Sequence, residues 1–367
     1  MGVRHEISQT RRRGRYRFAS GPDRTEASMA SLPAPGIIAK ESGGNRQEIN
    51  MSVRRLAIAA VAVAAFAGPA VAEDNIKLAV PQRGAWDTSI PDVGQKAGIF
   101  AKHGIKMEML YTAGAGETTQ AVISGSVDIG MGTGTSGIMA TFSKGAPVRP
   151  FSSQMTGADD IFWYVPSNSP IKTLADADGK TMAFSSNGSS SNLGALALIK
   201  QSGKSIKAVA AGSPPATFTQ TMSSQIDIGW SAPPYVIDDV KSGRVRIVAR
   251  ESDLEAFKNQ TVRMNFATID TLTKKADMIK RFLVAYKETI DYLYSDDPAA
   301  LKTYADFAEI TVEKAKLIRD EFFPKNNLSP TRISGLENAM ADALALKFIN
   351  APFTKEQMDD FLKYYAK

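Results

Sequence analysis

The stretch Phe184-Ser185-Ser186-Asn187-Gly188-Ser189-Ser190-Ser191-Asn192-Leu193 concentrates groups that can hold a small molecule. It lies between a strand-like run, residues 181–184, and an apolar, alanine-rich segment, 193–199, that reads as a helix. Such a junction brings hydroxyls, a side-chain amide, a permissive glycine and the unpaired N–H groups of a helix start to one place. An acceptor-rich ligand, an anion above all, suits that set. The same residues also suit a plain Ser/Asn helix cap with a soluble loop, and the stretch by itself supports both readings.

Other chemistries lose their usual residues. The chain has no cysteine, which excludes disulfides, thiolate metal sites and cysteine nucleophiles. Beyond residue 73 the one histidine is His103, in a segment that reads as a helix end, where an imidazole complements the helix dipole. Asp128 and Asp227 could be taken for a catalytic carboxylate pair. Each sits in an Asp-Ile-Gly run at the start of a strand-like segment, where an aspartate caps local backbone. No cofactor or metal site is expected, and a binding protein becomes the leading class over an enzyme.

The formal charge of +6 has a local origin. Residues 1–72 hold 11 Lys/Arg against 5 Asp/Glu, and the remainder holds 33 of each, so nucleic-acid binding loses its support. Residues 1–50 read as disordered, or as the product of a start placed too early, with Met51 the true start. Residues 51–72 read as a Sec-type signal peptide: Arg54 and Arg55, an apolar run from Leu56 to Ala67, and Ala70-Val71-Ala72 before an expected cut after Ala72. The expected location is the periplasm.

The elements that position these groups alternate. Strand-like runs at 76–80, 105–111, 127–131, 148–152, 161–165, 181–184, 206–210, 226–230 and 245–249 are separated by helical segments, the pattern of an α/β fold with parallel sheets. A segment from Thr119 through Asp128-Ile129-Gly130 is echoed from Thr219 through Asp227-Ile228-Gly229, which suggests two similar lobes. The expected division is 73–160 and 261–367 for lobe one and 161–260 for lobe two. Beyond Ser252 a strand at 262–269 is followed mainly by helices. Ile279, Phe282, Leu283, Tyr286, Ile290 and Leu293 form an amphipathic face, and Thr354 with Gln357 has capping-box spacing. These helices are expected to cover lobe one.

The run Gln95-Lys96-Ala97-Gly98-Ile99-Phe100-Ala101-Lys102-His103-Gly104-Ile105, the segment 121–130, Gly145-Ala146-Pro147-Val148 and the stretch from Thr173 to Thr181 together resemble ABC-transporter solute-binding proteins of the nitrate, sulfonate, taurine and thiamine-precursor type. The resemblance spans roughly residues 76–297. It implies the two-lobed periplasmic-binding-protein fold (type II), with parallel-rich sheets, two hinge strands and a ligand in the cleft between the lobes. It implies cleft residues Arg83, Trp86, Asp87, Gly134, Thr135 and Ser136 from lobe one. From lobe two it implies Asn187, Ser189, Ser190, Ser191, Trp230 and Tyr235. Trp86 and Trp230 would sandwich an organic body and Arg83 would pair with a carboxylate or sulfonate. The implied partners are a small organic ligand, an anion by these residues, and an inner-membrane permease, with the chain a monomer. Relatives that act on pyrimidine precursors depend on histidine and a cysteine cluster, which this chain lacks. An enzyme on the same scaffold, or a ligand-sensing subunit, are the alternatives.

Overall fold

The structure, a computed structural model, describes residues 73–365. The expected leader and the basic front of the chain lie outside the described residues.

Apolar runs bounded by turn residues form the first sheet. Strands β1 (Asp74–Val80) and β2 (Ile105–Tyr111) enclose helices α1 (Ile90–Lys96) and α2 (Ile99–Lys102). Gly98, with a left-handed φ of 76°, separates the two helices. Helix α3 (Ala115–Ile123), strand β3 (Ile129–Gly134), helix α4 (Thr135–Ser143) and strand β4 (Val148–Thr156) follow. The chain then crosses to a second group of elements: β5 (Phe162–Pro166), β6 (Thr181–Phe184), α5 (Ser190–Ser202), β7 (Lys207–Ala210), α6 (Pro214–Met222), β8 (Gly229–Ser231), α7 (Ile237–Lys241) and β9 (Val245–Arg250). It crosses back into β10 (Thr261–Thr268) and finishes in helices α8 (Ile269–Lys274), α9 (Ala276–Leu293), α10 (Pro298–Ala308), α11 (Val312–Phe322), α12 (Leu336–Ala345) and α13 (Lys355–Phe361).

The first sheet has the order β2-β1-β3-β10-β4, and β10 returns between β3 and β4 antiparallel to both. The second group holds an antiparallel sheet β8-β5-β9 and a parallel pair β6-β7. The sheets are therefore mixed and not parallel-rich. The reason is the two crossings: β5 and β9, which flank them, pair with each other, and β10 enters its sheet from the far side. We call the two groups the first and second lobes.

Each lobe has its own apolar interior. Ile76, Leu78, Phe100, Phe282 and Tyr286 belong to the first, where the apolar face of α9 lies on α1 and α2. Trp163, Met182, Leu198, Ile228 and Trp230 belong to the second. The closing helices cover the first lobe as expected, with Ala339, Ala343 and Phe361 packed on Ala79, Val122 and Phe266. Thr354 and Gln357 form the expected capping box. Among the described residues, no helix is long and apolar enough to cross a membrane.

Candidate functional site

The serine-rich stretch does meet the Gly134 loop, but not as an open pair of hydroxyl-lined walls. A Cβ added to Gly134 would lie 2.5 Å from Gly188 O, 2.7 Å from Ser190 N and 2.8 Å from the Ser189 carbonyl carbon. Gly137 faces Gly188 equally closely. The lobes thus touch backbone to backbone, and only glycine permits it at these two positions.

Ser186 Oγ accepts from Gly116 N across the contact at 3.0 Å, and the other hydroxyls are occupied within their own lobes. Ser189 Oγ caps α5 by accepting from Asn192 N at 3.1 Å, and Ser191 Oγ accepts from Ser185 N at 3.0 Å. The helix starts at Ser190, three residues earlier than its apolar run suggests, because the serines serve as cap and first turn. Across the contact, Thr135 donates to Thr261 O at 2.6 Å and Ser136 to Ala339 O at 3.4 Å, both inside the first lobe. Asn187 is exposed at the rim of a groove of about 660 Å³ whose walls include Thr141, Lys144 and Phe353.

The tryptophan sandwich does not form. Trp86 is fully buried in the first lobe, edge-on to Tyr304 at 4.5 Å between ring centres and to Tyr294 at 5.9 Å. Trp230 is buried in the second lobe and donates through Nε1 to Gly212 O at 3.1 Å. Large aromatic side chains bury more area in a core than a loop can offer, and that term places them. Arg83 is also engaged at the surface: it pairs with Glu309 at 3.2 Å and stacks 4.4 Å from the Phe307 ring centre. Tyr235 reaches across from the second lobe and donates to the Arg83 carbonyl; burial raises its hydroxyl to about 12.

Asp87 is the expected residue with the richest buried surroundings. It is 2% exposed and accepts from Gln154 Nε2 at 2.8 Å. Arg263 Nε lies 3.5 Å from the same carboxylate, while Arg263 Nη2 donates to both oxygens of Asp160 at 2.7 Å. Glu251 completes the group: it is fully buried and neither of its oxygens has a hydrogen-bond partner. Its carboxylate lies against α5 where that helix has a glycine, since a Cβ on Gly194 would fall 2.5 Å from Glu251 Oε1. Burial, with Asp160 adding repulsion and Arg263 opposing, pushes Glu251 well above the ordinary glutamate range. Burial likewise raises Asp87, against the attraction of Arg263.

Asp160 lies on the first crossing between the lobes, Glu251 opens the second, and Arg263 follows it on β10. None of Gln154, Asp160, Glu251 and Arg263 was anticipated. The sequence does carry one signal for them, a single arginine and an asparagine within the otherwise apolar residues 262–267. A charge in a strand buried on both faces needs a dedicated partner.

The Asp-Ile-Gly echo has a structural use in both lobes. Asp128 accepts from Lys77 N at 3.1 Å and Asp227 from Thr181 N at 2.9 Å, each tying a strand start to its neighbour. His103 ends α2 and contacts Glu288 at 2.8 Å.

Comparison with known proteins places this architecture. A family model described as NMT1/THI5 like matches residues 92–300. No curated protein sequence matches the chain. Among solved structures, the alkanesulfonate-binding protein SsuA from Xanthomonas axonopodis pv. citri, bound to MOPS, superposes with a TM-score of 0.63 at 16% identity, covering 81% of this chain and 96% of that one. The periplasmic nitrate-binding protein NrtA from Synechocystis PCC 6803 gives 0.65 at 13% identity over 79% of this chain and 86% of that one. The desulfurization enzyme DSZB gives 0.56 at 12% identity over 77% and 95%. The fold is that of the α/β periplasmic binding proteins, with mixed sheets, flanking helices and a helical C-terminal region.

Proposed function

The chain belongs to the NMT1/THI5-like family, and from that premise we propose that it is the solute-binding receptor of an ABC importer. It captures a small organic ligand between its lobes in the periplasm and presents the closed form to an inner-membrane permease. The observation that carries this reading is the pairing of two features at one interface. At one end the lobes meet backbone to backbone, at Gly134 and Gly137 against residues 188–190, with Ser186 Oγ accepting from Gly116 N at 3.0 Å beside them. At the other, the two crossings bring Asp160, Glu251 and Arg263 into one buried polar group, which Asp87 joins through Arg263. A contact made mostly of backbone can separate and re-form, and a buried group with unpartnered polar atoms is a place for a ligand to supply partners.

The named ligands of the sulfonate- and nitrate-binding relatives make an anion the first class to try. The residue expected to hold it, Arg83, is taken by Glu309 and Phe307, so the buried Arg263 becomes the candidate guanidinium. A thermal-shift screen of the purified protein with sulfonates, carboxylates, pyrimidines and amines tests the receptor reading. A ligand at 100 times its dissociation constant adds about 2.7 kcal/mol of stability. A folded protein stabilised by none of these classes would refute receptor function.

The likeness to DSZB supports a second reading, an enzyme on the same scaffold. Glu251, held toward its neutral form by burial, would be its proton donor. Conversion of a stabilising compound to product by the wild type, lost in Glu251→Gln, would establish it over the receptor.

A further inference from the structure

The groove beside Asn187 takes its walls from both lobes. From the first lobe come Lys144, at the end of α4, and Lys347, Phe348 and Phe353 from the chain between α12 and α13. Asn187 and Gly188 come from the second. Gly137 and Gly188, which also line the groove, are residues whose backbones meet in the contact between the lobes. The volume of about 660 Å³ lies within the roughly 300–1,000 Å³ typical of small-molecule sites.

The lining carries one sign of charge. Lys144 and Lys347 are exposed, no acidic residue lines the groove, and Asn187 and Gln357 add amide donors. Phe348 and Phe353, half-buried, supply an apolar wall. Both lysines stand at helix C-termini, where a cation complements the helix dipole. That role does not use up their charge. Two helix ends carry about −0.5 each against a full charge on each ammonium, which leaves the groove positive by about one charge.

The backbone at Lys347 is a second, independent sign. Helix α12 closes with Lys347 N–H donating to Leu344 O at 3.0 Å and Phe348 N–H donating to Ala343 O at 2.7 Å. In this closure Lys347 takes a left-handed φ of 61°, a position that glycine ordinarily fills, as Gly145 does after α4 with φ 83°. A lysine is therefore held on the wall of a cavity in a conformation that disfavours it. Strain of this kind gathers at ligand contacts.

We propose that the groove is a second binding site, for an organic anion whose aromatic or alkyl body lies on Phe348 and Phe353 while Lys144 and Lys347 take its charge. The assignment goes beyond the receptor reading and does not depend on it, because the ligand between the lobes occupies a different place. Since Asn187 and Gly188 belong to the other lobe, an occupant of the groove favours the arrangement in which the lobes touch and shifts the population toward it.

The test is titration calorimetry of the purified protein with phenyl phosphate, benzoate and naphthalenesulfonate, and with benzyl alcohol as the neutral counterpart. At least one anion should bind, and benzyl alcohol should not. Lys144→Gln combined with Lys347→Gly should weaken that binding about tenfold. Glycine suits the φ of 61° better than lysine does, so the double variant should fold at least as stably as its parent. Gly134→Ala, whose Cβ would meet the Gly188–Ser190 backbone, should weaken binding as well, whereas a site built by the first lobe alone would be indifferent to it. An anion bound as tightly by the double variant as by the parent sits elsewhere and would overturn the site, as would binding by none of the probes. Equal binding of benzyl alcohol would overturn the ligand class. Affinity unchanged in Gly134→Ala would overturn the coupling to the contact between the lobes. Each of these failures leaves the receptor reading standing.

Discussion

Gly134→Ala should hold the two lobes apart while leaving each one folded. Gly134 has φ −63° and ψ 140°, a conformation open to any residue, so alanine strains nothing in the first lobe. The added Cβ would meet three backbone atoms of the second lobe, the nearest, Gly188 O, at 2.5 Å, against an ordinary contact limit of 3.4 Å. Backbone cannot rotate away as a side chain can, so the loops must separate by about 0.9 Å. Overpacking of this size costs about 1–3 kcal/mol, which lowers the closed population about 5- to 150-fold relative to the open one. Solution scattering should show a larger radius of gyration for the variant, and hydrogen exchange should be faster at the amides of residues 188–191. Thermal unfolding of each lobe should change little. Scattering and exchange identical to the parent would refute the claim that these glycines make the closing contact.

Three further outcomes follow from the same geometry. Trp86→Ala should destabilise the protein by about 3–5 kcal/mol in chemical denaturation, because Trp86 fills the first lobe's core against Tyr304 and Tyr294. Arg83→Ala should alter stability by no more than about 1 kcal/mol, since its pair with Glu309 is exposed on both sides, and ligand affinity should stay within about twofold. Glu251 is held above the ordinary value of 4.5 in the folded protein, so the folded state binds more protons than the unfolded one just above that pH. Its contribution is full below 4.5 and is lost as the pH rises from there through the folded value, at up to about 1.4 kcal/mol per unit. The groups facing it are Asp160, which deepens the effect, and Arg263, which opposes it. Denaturation from pH 5 to pH 8 should show this decline in the wild type and a smaller one in Glu251→Gln; equal slopes would contradict it.

Much of the architecture was legible in the chain itself. Strand β2 and the amphipathic face of helix α9 fall where their periodicity places them. The order of strands and helices also carries the fold class. The antiparallel return of β10 was not legible, since pairing direction depends on where a crossing lands and not on the composition of the strand. Helix α12 was not anticipated because it opens on Gly335 with no side-chain cap to mark its start.

The site was legible only in part. Hydroxyls in the 185–191 loop advertise binding, yet a serine satisfies a neighbouring backbone N–H as readily as a ligand, and here Ser189 and Ser191 do so. Trp86 and Trp230 stand next to loops in sequence but turn inward, where burial is worth most. Asp87 was named because the family resemblance puts the loop after β1 at the cleft. Asp160, Glu251 and Arg263 come from three separate segments that only the two crossings bring together.

Crystals of the protein grown with the compound that stabilises it most would test the account most directly. The account predicts ligand density between the lobes, with Gly134 still in contact with the Gly188–Ser190 backbone. Density confined to the outer groove beside Asn187 and Phe353 would contradict it.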